Sequence, residues 1–103
     1  MKIEEKNTAL VMLSQAMLGA ISSNFRMVVI DLDCPVWPIS FFLEKDSAID
    51  REEIEEIIST FEVGMMDVEI PGAGFKAEVF VIPAAQSLPE VIGVKVFLRR
   101  EAQ

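Results

Sequence analysis

Two aspartates, one cysteine and a dense group of glutamates are the side chains of this 103-residue sequence whose spacing could support chemistry. Asp31 and Asp33 fall on one face of an extended run, with Cys34 next in line. Carboxylate oxygens are the ligands that Ca²⁺ and Mg²⁺ prefer. The rest of such a site is missing, because no glycine-bearing twelve-residue loop follows and a thiol is a soft ligand. Cys34 is a poor nucleophile for a related reason: the carboxylates of Asp31 and Asp33 just before it favour the thiol over the thiolate. The sequence contains no histidine and no tyrosine. That removes the commonest general base and metal ligand, together with the Ser-His and Cys-His nucleophile pairs. Hydrolysis by two carboxylates needs a sugar-sized cleft between them, for which a chain this short has little room. The Pro71-Gly72-Ala73-Gly74 turn lacks the lysine and the following helix of a phosphate-binding loop. The expectation is a protein that binds rather than catalyses, with no metal and no cofactor.

The glutamates offer the alternative to catalysis. Ten acidic residues lie between Glu44 and Glu69, opposed only by Lys45 and Arg51. This segment therefore carries a net −8, the formal charge of the whole chain, and the flanks together are neutral. Asp50, Glu52 and Glu53 stand where a helix would begin, and its dipole favours anions there. Glu55 and Glu56 lie past that first turn, where crowded like charges cost stability. Two readings follow: a solvated face that confers solubility, or a docking surface for a cationic protein, built from Glu44, Asp46, Glu52, Glu55 and Glu56. Trp37, the one tryptophan, is either a core anchor or, if its face is open, a binding hot spot.

The elements that must position these groups can be traced along the chain. Helical spacing from Asn7 to Ser22, with Asn7 or Thr8 as cap, places Ala9, Leu10, Leu13, Met17, Ala20 and Ile21 on one stripe. Val11 and Leu18 fall on the polar side, covered by a neighbouring element or serving as a self-association surface. Alternation predicts strands over Phe25–Asp33 and Val36–Glu44, joined as a hairpin at Asp33-Cys34-Pro35. Pro35 and Pro38 each remove a donor, which suggests that the second strand begins at a sheet edge. A second helix is predicted with Asp50 as N-cap, Glu53 reaching back, Ile49 and Ile54 as a staple, and Gly64 closing it in a left-handed turn. Its buried stripe is Ile54, Ile57, Ile58 and Phe61. Three more strands are predicted at Met65–Ile70, Phe75–Ile82 and Val91–Arg100, with Pro83–Glu90 as the longest loop. The expected architecture is one α+β domain over residues 1–103. Two helices pack on one face of a mainly antiparallel sheet of about five strands, in the order α-β-β-α-β-β-β.

Bulk composition narrows the partners. An apolar fraction of 51% is ample for one core. A net charge of −8 repels nucleic-acid phosphates and anionic lipid heads. A lone cysteine cannot form an internal disulfide and fits a reducing compartment. The apolar run from Ala9 to Ile21 is broken by Ser14, Gln15 and Gly19 and is shorter than the roughly 20 residues that span a bilayer. The MKIEEKN start lacks the form of a secretory signal. A cytoplasmic location is expected, without membrane or nucleic-acid contact.

The runs LGAISSNFRMVVI (18–30), FFLEKDSAIDREEIEEI (41–57) and STFE (59–62), with the closing VFLRRE (96–101), resemble small immunity proteins encoded beside bacterial polymorphic or contact-dependent-inhibition toxins. The resemblance implies a cytoplasmic bacterial protein that binds and blocks the toxin domain of a neighbouring gene. Toxin-contacting residues vary within such families, so the resemblance assigns none here. The first functional expectation is thus an inhibitor that caps a cognate basic toxin through the acidic helix. The alternative is a structural module that forms a homodimer through Val11 and Leu18.

Overall fold

The computed structural model describes residues 3–66 and 74–101. The chain runs α1 (Ile3–Met17), β1 (Phe25–Ile30), β2 (Val36–Leu43), α2 (Ala48–Gly64), β3 (Gly74–Val81) and β4 (Val94–Leu98). Helix α1 begins a turn before the predicted cap. Glu4 and Glu5 occupy its first turn, where carboxylates complement the helix dipole. Thr8 is interior, its hydroxyl donating back to the Glu4 carbonyl at 2.9 Å. The helix stops at Met17 rather than Ser22, because Gly19 takes a φ of +77° that a side chain would resist. Ala9, Leu13 and Met17 are buried, with Leu10, Ala20 and Ile21 packed beside them, so the predicted stripe is the core face. Val11 and Leu18 are uncovered, 51% and 79% exposed.

Four strands are present among the described residues, in the order β3-β2-β1-β4. The predicted β1–β2 hairpin is present, and β1 also pairs antiparallel with β4. β3, however, runs parallel to β2 along all eight residues. The sheet is therefore mixed rather than antiparallel throughout. The cause is the helix between them: α2 carries the chain back across the sheet, so β3 starts at the same end as β2. Of the predicted Met65–Ile70 strand, Met65 and Met66 form the helix cap and a turn; residues 67–70, and Pro71–Ala73 of the predicted turn, lie outside the described residues.

The prolines do not mark an edge, since β2 is an interior strand. Pro38 is tolerated because its carbonyl accepts from Asp31 N at 3.1 Å. The donor it lacks would face Asp31, one step past the last paired residue of β1.

Both helices cover one face of the sheet. Leu13, Ile54, Ile57 and Phe61 pack with Phe25, Val28, Ile30, Trp37, Ile39, Phe41 and Leu43. Phe61 meets Phe75 of β3 edge-on at 5.0 Å between ring centres. On the other face Met27, Val29 and Phe42 are covered by Ile82, Leu88 and Val91. Those residues belong to segment 82–93, which crosses the back of the sheet from β3 at one edge to β4 at the other.

That crossing is tied down by Arg26, which is 2% exposed. Its Nη1 donates to the carbonyls of Ile82, Pro83 and Gln86 at 3.0–3.1 Å. Nε and Nη2 each reach a Glu101 carboxylate oxygen at 2.7 Å. A guanidinium with its donors so fully used is one of the few ways to bury a cation without a large cost.

Candidate functional site

Helix α2 is set by its first turn and by what that turn touches. The N-cap is Ser47, not Asp50: Ser47 is extended (φ −143°, ψ 121°), and its hydroxyl accepts from Asp50 N. Asp50 is thereby moved inside the helix, where it is buried. It accepts from Ser22 Oγ at 2.9 Å and Asn24 Nδ2 at 2.8 Å, binding α2 to the turn that precedes β1. Asn24 also pairs with the backbone of Lys45 in both directions. The staple does not form, since Ile49 is 72% exposed. Nor does Gly64 end the helix in a left-handed turn. Met65 closes it with φ −98°, its N–H shared between the carbonyls of Phe61 and Glu62. Gly64 instead gives room to α1, because a Cβ there would stand 3.0 Å from Met12 Sδ.

With Ile54, Ile57 and Phe61 turned inward, the opposite side of α2 must carry the glutamates. Glu52, Glu55, Glu56 and Glu62 are exposed and Glu53 half-buried. Among the described residues, none of the five lies within ion-pair distance of a lysine or arginine. The other acidic candidates are placed differently. Asp46 is paired with Arg51 at 2.6 Å. Glu44 turns away from α2 to meet Arg99 at 3.0 Å. Trp37 is 1% exposed and serves the core, the first of its two possible roles. Thus Glu52, Glu55 and Glu56 share one open surface, and Glu44 and Trp37 are not part of it.

The Asp31–Cys34 corner is occupied with its own structure. Asp31 accepts from Asp33 N at 3.0 Å and from Cys34 Sγ at 3.2 Å, and Asp33 pairs with Lys6 of α1 at 2.9 Å. The hydrogen bond to Asp31 raises the Cys34 thiol above its ordinary range; burial and the charges of Asp31 and Asp33 act in the same direction. The thiol is held protonated, as the flanking carboxylates suggest.

Sequence reasoning missed the densest polar cluster. Glu101 joins Arg26 to Arg99, whose Nη2 lies 2.8 Å from it. Arg99 also donates to the Ser23 carbonyl. Hydrogen bonds from Arg26 and then Arg99 hold the Glu101 carboxyl well below its usual range, at about 2. A lone arginine inside the apolar run FRMVVI was the available signal, since a buried cation requires a partner. On the back of the sheet an open groove of about 430 Å³ runs between Phe42, Phe80, Ile82, Val91 and Ile92. Phe42 and Phe80 stack there at 5.1 Å. Its lining is apolar apart from Ser40 and Glu90, and it offers no set of groups for catalysis. No helix among the described residues is long and apolar enough to cross a membrane.

The arrangement is an open carboxylate face on a helix pinned at its first turn and packed along its length. Comparison with known proteins places the chain as a whole rather than this face. No curated protein matches the chain. A model of the MafI2 immunity protein family does match, over residues 6–101, which include both helices' core faces and all four strands. The chain therefore belongs to the MafI2 immunity protein family.

Proposed function

We propose that this protein neutralises a basic toxin domain by laying the outer face of α2 against it. Membership of an immunity protein family gives a toxin-inhibiting role in general, exercised by binding a cognate toxin, and such families are generally non-catalytic. The observation that carries the finer assignment is the set of Glu52, Glu55 and Glu56. They are exposed and without a cation among the described residues, in the segment that holds the chain's whole net charge. Their repulsion weakens the helix, so folding alone gives no reason for the cluster. Against a lysine- and arginine-rich surface the same carboxylates speed encounter and select the partner. Asp46, beside Arg51 at the helix start, extends the face. The chain acts as a single domain in the bacterial cytoplasm, where it occludes the toxin before the toxin reaches its target.

The decisive experiment expresses this protein with the C-terminal ~100 residues of the neighbouring toxin reading frame, the length of a typical domain. Cells should survive with the wild-type chain. They should die with E52K/E55K/E56K, while that variant keeps its circular dichroism and melting temperature. Full rescue by the triple variant would move the interface elsewhere.

A second reading rests on the exposure of Val11 and Leu18. A homodimer through them would be dispersed by V11K or L18K, and light scattering that finds monomer at high micromolar concentration removes it.

A further inference from the structure

We infer that Ile49 and Val63, with Met66 just past the helix end, are the apolar anchors of this interface, and that the glutamates between them steer rather than hold the partner. The inference rests on the function proposed above and adds to it which residues hold the complex and what shape the partner must have. Ile49, Val63 and Met66 are 72%, 67% and 76% exposed. At 100° per residue Ile49, Glu52, Glu56 and Val63 lie within about 60° of one another on the outer stripe of α2. The 14 positions from Ile49 to Val63 correspond to ~21 Å along the axis. The face is thus a strip with an apolar side chain at each end and carboxylates in the middle.

Folding does not account for the two ends. β-Branched side chains are poorer helix formers than glutamate or lysine, and side chains as exposed as these bury little apolar area within the chain. The charge between them states what can cover the strip. A second copy is excluded on this face, because two α2 strips brought together would set Glu52, Glu55 and Glu56 of each against the other without counterions. Nucleic acid and anionic lipid are repelled for the same reason. The occupant that fits is a cationic protein domain with lysine or arginine between two apolar sockets about 20 Å apart, which is the toxin domain proposed above. In such an interface the desolvated apolar anchors govern dissociation and the charges govern encounter.

The test measures association and dissociation separately, by biolayer interferometry of the full chain on the immobilised toxin fragment, rendered catalytically inert, at low and high salt. I49S/V63S should dissociate about tenfold faster or more, the loss expected of an anchor, with association rate and salt dependence as in wild type. Both positions are exposed, so its melting temperature should match that of wild type, and I49L/V63L should keep the slow dissociation. E52Q/E55Q/E56Q should associate more slowly and lose most of the salt dependence. Wild-type dissociation for I49S/V63S, together with slowed association in the glutamine triple, would overturn the anchors and leave the proposed function standing. Wild-type kinetics in both variants, or no binding of the fragment by the unmodified chain, would overturn both.

Discussion

Arg26 ties the crossing segment and Glu101 to β1, and its behaviour under substitution and acid can be stated. It satisfies three carbonyls of the crossing segment and grips Glu101, 75 residues away. Arg26→Ala would leave those groups without their donor and break a largely buried pair. Urea unfolding should show a loss of about 3 kcal/mol. Glu101 makes the same cluster sensitive to acid. Its carboxyl titrates at about 2 in the folded protein, against 4.5 ordinarily. Its stabilising effect is therefore complete above 4.5 and drains away as pH falls from there toward 2. Melting temperature followed down this range should fall more steeply for wild type than for E101Q, which has no charge to lose. Asp50 shows why single residues are hard to assign from sequence. Ser47 and Asp50 are equally good caps by type, and only contact with Ser22 and Asn24, distant in the chain, draws Asp50 inward. Arg26 advertised its need for a partner; nothing near it in sequence named Glu101.

Elements were legible where one face is buried and the local signals agree. The inward stripe of α2 and the alternation of β2 correspond to buried positions Ile54, Ile57, Phe61, Trp37, Ile39, Phe41 and Leu43. β3 and β4 were legible as strands, but their direction and neighbours were not, because pairing depends on where α2 and the crossing segment deliver the chain. Ends of helices were least legible, since α1 extends on weak first-turn charge effects and α2 ends without the left-handed turn its glycine suggested. The glycines themselves separate two physical roles. Gly93 has φ +127°, and a Cβ there would stand 2.7 Å from the Ile30 carbonyl oxygen. Gly93→Ala should cost about 1–3 kcal/mol from strain alone, seen as a lower denaturation midpoint. Gly64 meets only the flexible end of Met12. Gly64→Ala should shift stability by less than about 1 kcal/mol, since the lost glycine entropy offsets the tighter contact.

For the molecule as a whole, charge is the property that a partner feels at a distance. A net −8, concentrated in one segment, predicts an association rate that falls steeply with ionic strength, at a dissociation rate that changes little. Stopped-flow mixing with the toxin fragment across a salt series measures this directly. The acidic part of the candidate site was visible in composition. Its division into open glutamates, a paired Asp46 and a diverted Glu44 was not: Arg51 stands as near to the glutamates in sequence as to Asp46, and Arg99 reaches Glu44 only through the sheet. The placement of β4 beside β1 has a bearing on biosynthesis. Among the described strands, the first to leave the ribosome is flanked on one side by the fourth, so long-range closure must wait until β4 has emerged. Until then β1 presents an open edge, Arg26 lacks Glu101, and α2 rests on an unfinished sheet. Immunity on this scaffold would come only from completed molecules, and a chain stopped after Ile92 should give no protection even though it carries every residue of the acidic face.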